Sequence, residues 1–254
     1  MIRYYSSNAL YERLEAEGCQ QFCWAVGNSW VLLYGNSACV PRLVICASGT
    51  STAQLDDLGR KKIQATHALA KELARRANLP FGTIEFNDSV PEISDVLLDG
   101  TIVSLDDLKS WFSKLGFAVK ENDSSAPSKA LNDASSSAYH RWQRSALGQI
   151  VVTDIDLFRL DANSYEAITL YELKRSYIPL SSWMPFKDDF PNFNLASAFA
   201  SMSELEFRIV YNVRHKTPRV CDDVSRLRLF SYSSQTGAKL LTELSFDDFV
   251  QGAP

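Results

Sequence analysis

Residues 1–120 show short apolar runs that alternate with amphipathic stretches of helical spacing. The runs are bounded by Gly, Asn and Pro, as β-strands in soluble proteins usually are. The pattern predicts four strands and two helices: strands at Trp30–Tyr34, Leu43–Cys46, Thr83–Phe86 and Asp95–Leu98, and helices at Leu55–Ala77 and, capped by Ser104 and ended by Gly116, at Leu105–Leu115. This half is expected to be a small α/β domain.

The second half has a different order of elements. Its pattern predicts helices at 136–147, 193–204 and 245–250, and strands at 149–160, 167–177, 206–213 and 226–232. Several strands with helices between them favour a mixed central sheet flanked by helices. The expected fold class of the chain is therefore α/β (α+β).

A polar stretch separates the two halves. Residues 121–137 are rich in Ser, Asn, Asp and Ala and contain little that could be buried. Such composition is typical of a linker or an exposed loop. The sequence thus predicts an N-terminal α/β domain over 1–120, a linker over 121–137 and a second domain over 138–254.

Two apolar runs of the second half carry charged residues in their middle. Asp154 and Asp156 lie on Gln149–Leu160, whereas Glu172 and Lys174 lie on Ala167–Ser176. Strand side chains alternate between faces, so each pair shares a face. An antiparallel hairpin folded about Ser164 would place Asp156 opposite Glu172 and Asp154 opposite Lys174, with directly opposed Cβ atoms about 5 Å apart.

Two interpretations of these charges are open. On a solvated hairpin face they would form cross-strand ion pairs of about 0–1 kcal/mol each. Both faces of the strands are otherwise apolar, however, which is typical of strands covered on both sides. Neighbouring buried carboxylates stay ionised only beside a cation, so a divalent metal with oxygen ligands is the favoured interpretation.

An Asp on one strand followed by Glu-x-Lys on the next resembles the core of the PD-(D/E)xK nuclease superfamily. The matching residues are Asp156, with Asp154 as a second candidate, and Glu172-Leu173-Lys174. The resemblance implies a restriction-endonuclease-like C-terminal core and Mg²⁺ or Mn²⁺ as cofactor. Asp156, Glu172, Asp154 and the Leu173 carbonyl would hold the metal, and Asp156, Glu172 and Lys174 would be catalytic.

The resemblance also implies a substrate, and it has one departure. Phosphodiester hydrolysis of nucleic acid is the implied activity, with DNA favoured over RNA on family grounds alone. Many members carry a further Glu on the helix before these strands, whereas the predicted helix 136–147 has none. The number of metal ions is therefore left open. A catalytically inactive nuclease-like module that binds nucleic acid or protein, and a purely structural assembly protein, are the alternatives.

Composition and charge narrow the class of protein further. Of 254 residues, 46% are hydrophobic and 22% charged, and no apolar run is long enough for a membrane span. The first residues lack a signal-peptide pattern and the five cysteines have no paired spacing, so a cytoplasmic protein without a membrane partner is expected. The net charge of −4 disfavours a general nucleic-acid coat, but six local cations are candidate phosphate contacts: Arg141, Arg144, Arg175, Lys187, Arg214 and Lys216.

Two segments remain without an assigned role. Tyr177–Asn194 is rich in aromatic residues and could either stack on a base or cover the edge of the sheet. Residues 1–120 contain no motif that identifies a chemistry. They are expected to recognise substrate, or to mediate a homo-oligomer or another protein contact.

Overall fold

The computed structural model describes residues 8–120, 137–217 and 219–252. These residues form fourteen strands: β1 (Phe22–Cys23), β2 (Ser29–Asn36), β3 (Pro41–Gly49), β4 (Phe81–Phe86), β5 (Asp95–Leu98), β6 (Thr101–Ser104), β7 (Ala118–Val119), β8 (Leu147–Gly148), β9 (Ile150–Asp154), β10 (Leu157–Leu160), β11 (Ala167–Ser176), β12 (Glu206–His215), β13 (Cys221–Ser233) and β14 (Gly237–Ser245). They also form six α-helices: α1 (Ala9–Ala16), α2 (Asp57–Arg76), α3 (Leu105–Lys114), α4 (Ala138–Ala146), α5 (Phe190–Met202) and α6 (Phe246–Gln251).

The chain divides into two compact units, and the second is discontinuous in sequence. The first unit contains Ala25–Asp154, and the second joins residues 8–24 to residues from Ile155 onward. The fold class is mixed α+β, with sheets flanked by helices, as the sequence predicts. In sequence, the first unit is inserted into the second between β1 and β10, two strands that pair with each other.

The first unit is built on a six-stranded sheet with the order β6-β5-β4-β3-β2-β9. Its central strands β2 and β3 are buried on both faces, which explains their nearly continuous apolar sequences. Asp56 caps helix α2, and its carboxylate accepts a hydrogen bond from the Gly59 amide at 2.8 Å. Ser104 caps α3 in the same way, since its hydroxyl accepts from the Asp107 amide.

Helix α4 belongs to the first unit, in contrast to the predicted domain 138–254. Its buried side chains Tyr139, Trp142 and Ala146 join the core formed by Trp30 and Tyr34 of β2. The hydroxyls of Tyr34 and Tyr139 lie 2.9 Å apart within that core. Burial of this apolar face therefore draws α4 to the first sheet. The predicted linker 121–137 lies outside the described residues except for Ser137, which caps α4.

The second unit is built on a six-stranded mixed sheet with the order β1-β10-β11-β12-β13-β14. Neighbouring strands are antiparallel except β11 and β12, which are parallel. A parallel pair needs a crossover connection, and α5 provides it. The helix buries Phe193, Leu195 and Phe199, and it contacts β11, β12 and β13.

The prediction of one continuous strand over Gln149–Leu160 is wrong. The chain leaves β-structure at Ile155 and Asp156, and the run becomes two strands in different sheets. Strand β9 pairs antiparallel with β2 in the first unit, with Asp154 opposite Leu32. Strand β10 pairs with β11 in the second unit. The apolar pattern fits both halves of the run because both become sheet strands, so it gives no sign of the break.

The other predicted elements are present with small shifts at their ends. Helix α5 begins at Phe190, three residues earlier than predicted, and β12 and β13 are longer than predicted. The sequence patterns did not predict α1, β1, β6, β7, β8 or β14. Strand β14 has partly exposed residues over most of its length, so alternation between apolar and polar positions is weak there.

Candidate functional site

Strand β11 holds Glu172 and Lys174 on one face, two residues apart. The strand lies between β10 and β12, so its backbone is paired on both sides. Glu172 is only 6% exposed. A carboxylate in that position is costly unless a cation compensates it. The burial argues against the interpretation of Glu172 as part of a solvated hairpin face.

Lys174 provides the compensating charge. Its Nζ lies 2.8 Å from Oε1 of Glu172 and 3.7 Å from Oδ2 of Asp189. The ammonium group also lies 5.3 Å from the centre of the Phe193 ring on α5. Burial by itself would lower the pKa of Lys174, but attraction to Glu172, Asp189 and Asp156 outweighs burial and raises the pKa. The side chain is therefore a cation at neutral pH.

Asp156 lies next to this pair, at the residue before β10. The β10–β11 ladder pairs Leu157 with Tyr171, so the predicted register about Ser164 is confirmed from Leu157 to Arg159. An irregularity then shifts the register by one residue, so that Leu160 pairs with Ala167. Oδ2 of Asp156 accepts a hydrogen bond of 2.8 Å from the Leu173 amide. The Asp156 carbonyl accepts another, also of 2.8 Å, from the Tyr11 hydroxyl. These two bonds fix the residue against the middle of β11.

Asp154 does not take the predicted position opposite Lys174. It ends β9, whose ladder pairs it with Leu32 of the first unit. The strand is interrupted at Ile155 and Asp156, so Asp154 and Asp156 do not lie on one continuous strand. The alternation of side chains between faces therefore does not place them on the same face. Among residues 8–120, 137–217 and 219–252, no group of three or more His, Cys, Asp and Glu side chains is arranged to hold a metal ion.

Helix α1 replaces helix 136–147 as the helix that precedes the strands of this sheet. It contacts β13 in the second unit, where Leu10, Tyr11 and Leu14 are buried. Its exposed face carries Glu12 and Glu15. The predicted helix 136–147, which contains no glutamate, corresponds to α4 and lies in the first unit.

Two further residues contact the site but were not predicted from the sequence. Tyr11 binds the Asp156 carbonyl, and Asp189 lies beside Lys174. Tyr11 could have been found from the cap at Asn8 and the apolar positions that follow it, which together indicate a helix. Asp189 lies in a short 3₁₀ turn before α5, and its sequence shows no sign that it faces Lys174. Only the tertiary fold brings it there.

The six candidate phosphate-binding residues are divided between the units. Arg141 and Arg144 lie on α4 in the first unit, where Arg141 donates a 2.7 Å hydrogen bond to the Pro91 carbonyl. Arg175 and Arg214, in the second unit, both bind the carboxylate of Asp222, at 2.8 and 2.7 Å.

Lys187 and Lys216 are the other two cations of the second unit. Lys187 begins the 3₁₀ turn before α5, and Lys216 lies 4.6 Å from the centre of the Tyr177 ring. Of the six candidates, Arg175, Arg214 and Lys216 thus lie near the carboxyl ends of β11, which carries the Glu172–Lys174 pair, and of its parallel neighbour β12.

The aromatic segment 177–194 has two buried aromatic side chains, Trp183 and Phe193. Trp183 is 1% exposed and stacks on Tyr211 of β12, with ring centres 4.1 Å apart. This contact favours the interpretation of the segment as a cover for the sheet. Met184, Phe186 and Tyr177 are nevertheless about half exposed.

Comparisons with protein-family models, with curated proteins and with solved structures found no match to this chain. No helix in the described part of the chain is both long enough and apolar enough to cross a membrane.

Proposed function

We propose that the second unit is a metal-dependent nuclease that hydrolyses phosphodiester bonds of nucleic acid, with DNA as the preferred substrate. The observation that carries the proposal is the position of Asp156. Its carboxylate binds the amide of Leu173, the residue between Glu172 and Lys174. An aspartate, a buried glutamate and a charged lysine are thus gathered at neighbouring positions of two paired strands.

The order of elements in the second unit supports the same proposal. The unit runs α1, β1, β10, β11, α5 and β12, that is, helix, strands, helix and strand around a mixed sheet. This is the order that the resemblance to the PD-(D/E)xK superfamily implies. Strand β1, which pairs with β10, lies before the first unit in sequence.

The donor set fits a hard divalent cation. Asp156 and Glu172 offer carboxylate oxygens, and Mg²⁺ commonly uses one or two protein carboxylates together with substrate phosphate oxygens. These two residues, with the Leu173 carbonyl, would hold Mg²⁺ or Mn²⁺. When bound, the ion supplies charge stabilisation at the phosphate and a more acidic water.

Lys174 has a role that follows from its charge. Because neighbouring carboxylates keep it protonated, it cannot accept a proton from water at neutral pH. It can donate hydrogen bonds to the attacking water and to phosphate oxygens that gain negative charge in the transition state. We therefore propose that Lys174 orients and stabilises, and that the acids hold the metal.

The test is cleavage of plasmid and single-stranded DNA by the whole chain in the presence of Mg²⁺ or Mn²⁺. Lys174→Ala is expected to reduce cleavage by about two orders of magnitude or more, as for loss of one preorganised transition-state donor. Asp156→Asn is expected to abolish cleavage, because it removes a ligand of the metal ion. Glu204→Gln and Lys239→Ala change exposed side chains of the same unit and serve as matched controls. Equal cleavage by Asp156→Asn and Glu204→Gln would refute the assignment.

The alternative is a nuclease-like module that binds nucleic acid or protein without cutting it. One observation favours it, namely that the described residues contain no cluster of three potential metal ligands. Lys174 also already neutralises Glu172. Wild-type protein that binds DNA but cuts neither form with either metal would establish this alternative. In both cases we propose that the first unit recognises substrate or mediates assembly.

A further inference from the structure

A groove of about 640 Å³ opens at the ends of the central strands of the second unit. Its volume lies within the roughly 300–1,000 Å³ range of ligand-binding pockets. Three parts of the chain line it: the residues after β11, the end of β12, and Asp223, Ser225 and Arg226 of β13. Tyr177 follows Lys174 by three residues, so the groove begins roughly 10 Å farther along the chain than the proposed catalytic lysine.

The polar lining of the groove is mainly cationic. Arg214, Lys216 and Arg226 face a single acid of the lining, Asp223. Asp223 also lies 3.6 Å from His215, which itself lines the groove. Two of these three cations also lie against carboxylates outside the lining: Nε of Arg214 is 2.7 Å from Oδ1 of Asp222, and Nη2 of Arg226 is 3.8 Å from Oε2 of Glu243. The cations of the lining still outnumber its single acid, which suits a phosphate group.

Arg214 is held in place before any ligand arrives. Asp222, whose side chain is 5% exposed, accepts from Nε of Arg214 at 2.7 Å and from Nη1 of Arg175 at 2.8 Å. A guanidinium has five N–H donors, so the contacts to Asp222 leave others for a ligand. Because the buried carboxylate fixes its orientation, Arg214 loses little freedom when it binds an anion.

An aromatic ring lies among these cations. Tyr177 is 47% exposed, and Nζ of Lys216 lies 4.6 Å from its ring centre. Pro179, Leu180 and Val213 supply apolar lining beside it. Cations that can follow a phosphate backbone, together with an exposed aromatic ring, are what proteins use to bind unpaired nucleotides.

We infer that this groove binds an unpaired segment of nucleic acid, with its phosphates at Arg214, Lys216 and Arg226 and a base stacked on Tyr177. The inference deepens the proposed nuclease function and rests on it, since it defines the substrate class as a strand with single-stranded nucleotides next to the cleavage site. A duplex keeps its base faces stacked inside, so it can use the cations but not the ring.

The test measures binding by fluorescence anisotropy in metal-free buffer with EDTA, where no cleavage can occur. The probes are a labelled oligothymidine, a blunt duplex and the same duplex with an unpaired tail. Tyr177→Leu is expected to weaken binding of the unpaired and tailed probes about tenfold, and of the blunt duplex less than twofold. Tyr177→Phe keeps the ring and is expected to bind like wild type.

Lys216→Ala is expected to weaken all three probes and to reduce the slope of log affinity against log salt by about one contact. Tyr165→Leu and Lys239→Ala are matched controls, because both side chains are exposed in the same unit outside the groove. Thermal melting of each variant checks that the fold is retained.

The outcomes separate the two proposals. Equal weakening of all probes by Tyr177→Leu, or no weakening at all, overturns the groove inference whether or not the protein cuts DNA. Selective weakening of unpaired probes supports it. If the wild type shows that selectivity but never cuts with Mg²⁺ or Mn²⁺, the groove stands and the nuclease proposal fails.

Discussion

Substitution of Lys174 by Met tests whether the Glu172–Lys174 pair is a buried structural element. The change removes the ammonium group but keeps an apolar chain of similar length. In the wild type the two charges are 2.8 Å apart, and unit charges at that distance attract by about 6 kcal/mol at an effective dielectric constant of about 20. The net contribution is smaller, because both groups lose hydration when they are buried.

The loss of unfolding free energy in Lys174→Met can be bounded from the free energy needed to protonate Glu172. Without Lys174, the 6% exposed carboxylate must either stay charged without its main partner or take up a proton. For a carboxyl with a reference pKa of about 4.3, protonation at pH 7 costs about 3.7 kcal/mol, and at pH 5 about 1 kcal/mol. The variant should therefore lose about 2–4 kcal/mol of unfolding free energy at pH 7, within the range for a broken buried pair.

The assay is denaturant unfolding of wild type and variant at pH 7 and at pH 5, with the difference taken at each pH. In the folded variant the proton is bound more tightly than in the unfolded chain, so the variant recovers relative stability as the pH falls. The difference should shrink to about 1 kcal/mol at pH 5. The double variant Glu172→Gln/Lys174→Met should recover most of the loss at pH 7, since no buried charge remains.

A loss below about 1 kcal/mol that is the same at both pH values would refute this reasoning. Such a result is typical of a solvated surface pair. It would return Glu172 and Lys174 to the interpretation of an exposed hairpin face and would weaken the proposal of a metal site at the same residues.

Three further predictions concern the folding of the two units. Burial lowers the pKa of His140, so the contribution of this residue to stability is present above about pH 6.5 and is lost as the pH falls. The melting temperature of His140→Asn should therefore depend less on pH between 7 and 5 than that of the exposed control His215→Asn. Equal pH slopes for the two variants would contradict this. Trp183→Ala should destabilise the protein by about 3–5 kcal/mol in denaturant unfolding, because the ring is buried against Tyr211, and a loss under 1 kcal/mol would show that the segment does not cover the sheet. Replacement of 25–154 by a short Gly-rich turn should leave a cooperative thermal transition, because β1 and β10 are already paired neighbours, and loss of that transition would show that the second unit cannot fold without the first.

Much of the local structure could be predicted from residue patterns. Strands β2 and β3 are apolar throughout and helix α3 has both a cap and an apolar stripe, so their identities depend on interactions within a few residues. The β10–β11 hairpin is equally local. Its register follows from a short turn at Asp161–Glu166 and from alternation on both strands.

The assignment of elements to units could not be predicted in the same way. Helix α4 and strand β9 precede β10 directly, yet they pack in the first unit, and helix α1 packs in the second unit although 130 residues of the first unit follow it. An apolar stripe shows that a helix must be buried but not against which sheet. That choice depends on the shape and side chains of both partners, which come together only in the folded chain.

The candidate site shows the same division between local and tertiary causes. The sequence alone determined that Asp156, Glu172 and Lys174 share a hairpin, because strand periodicity and a short turn are local properties. Tertiary structure alone decided that Asp154 pairs in another sheet and that Tyr11 and Asp189 reach the site. These contacts join residues that are far apart in the chain or lie in turns without periodicity, and the packing of whole elements, rather than any local pattern, selects them.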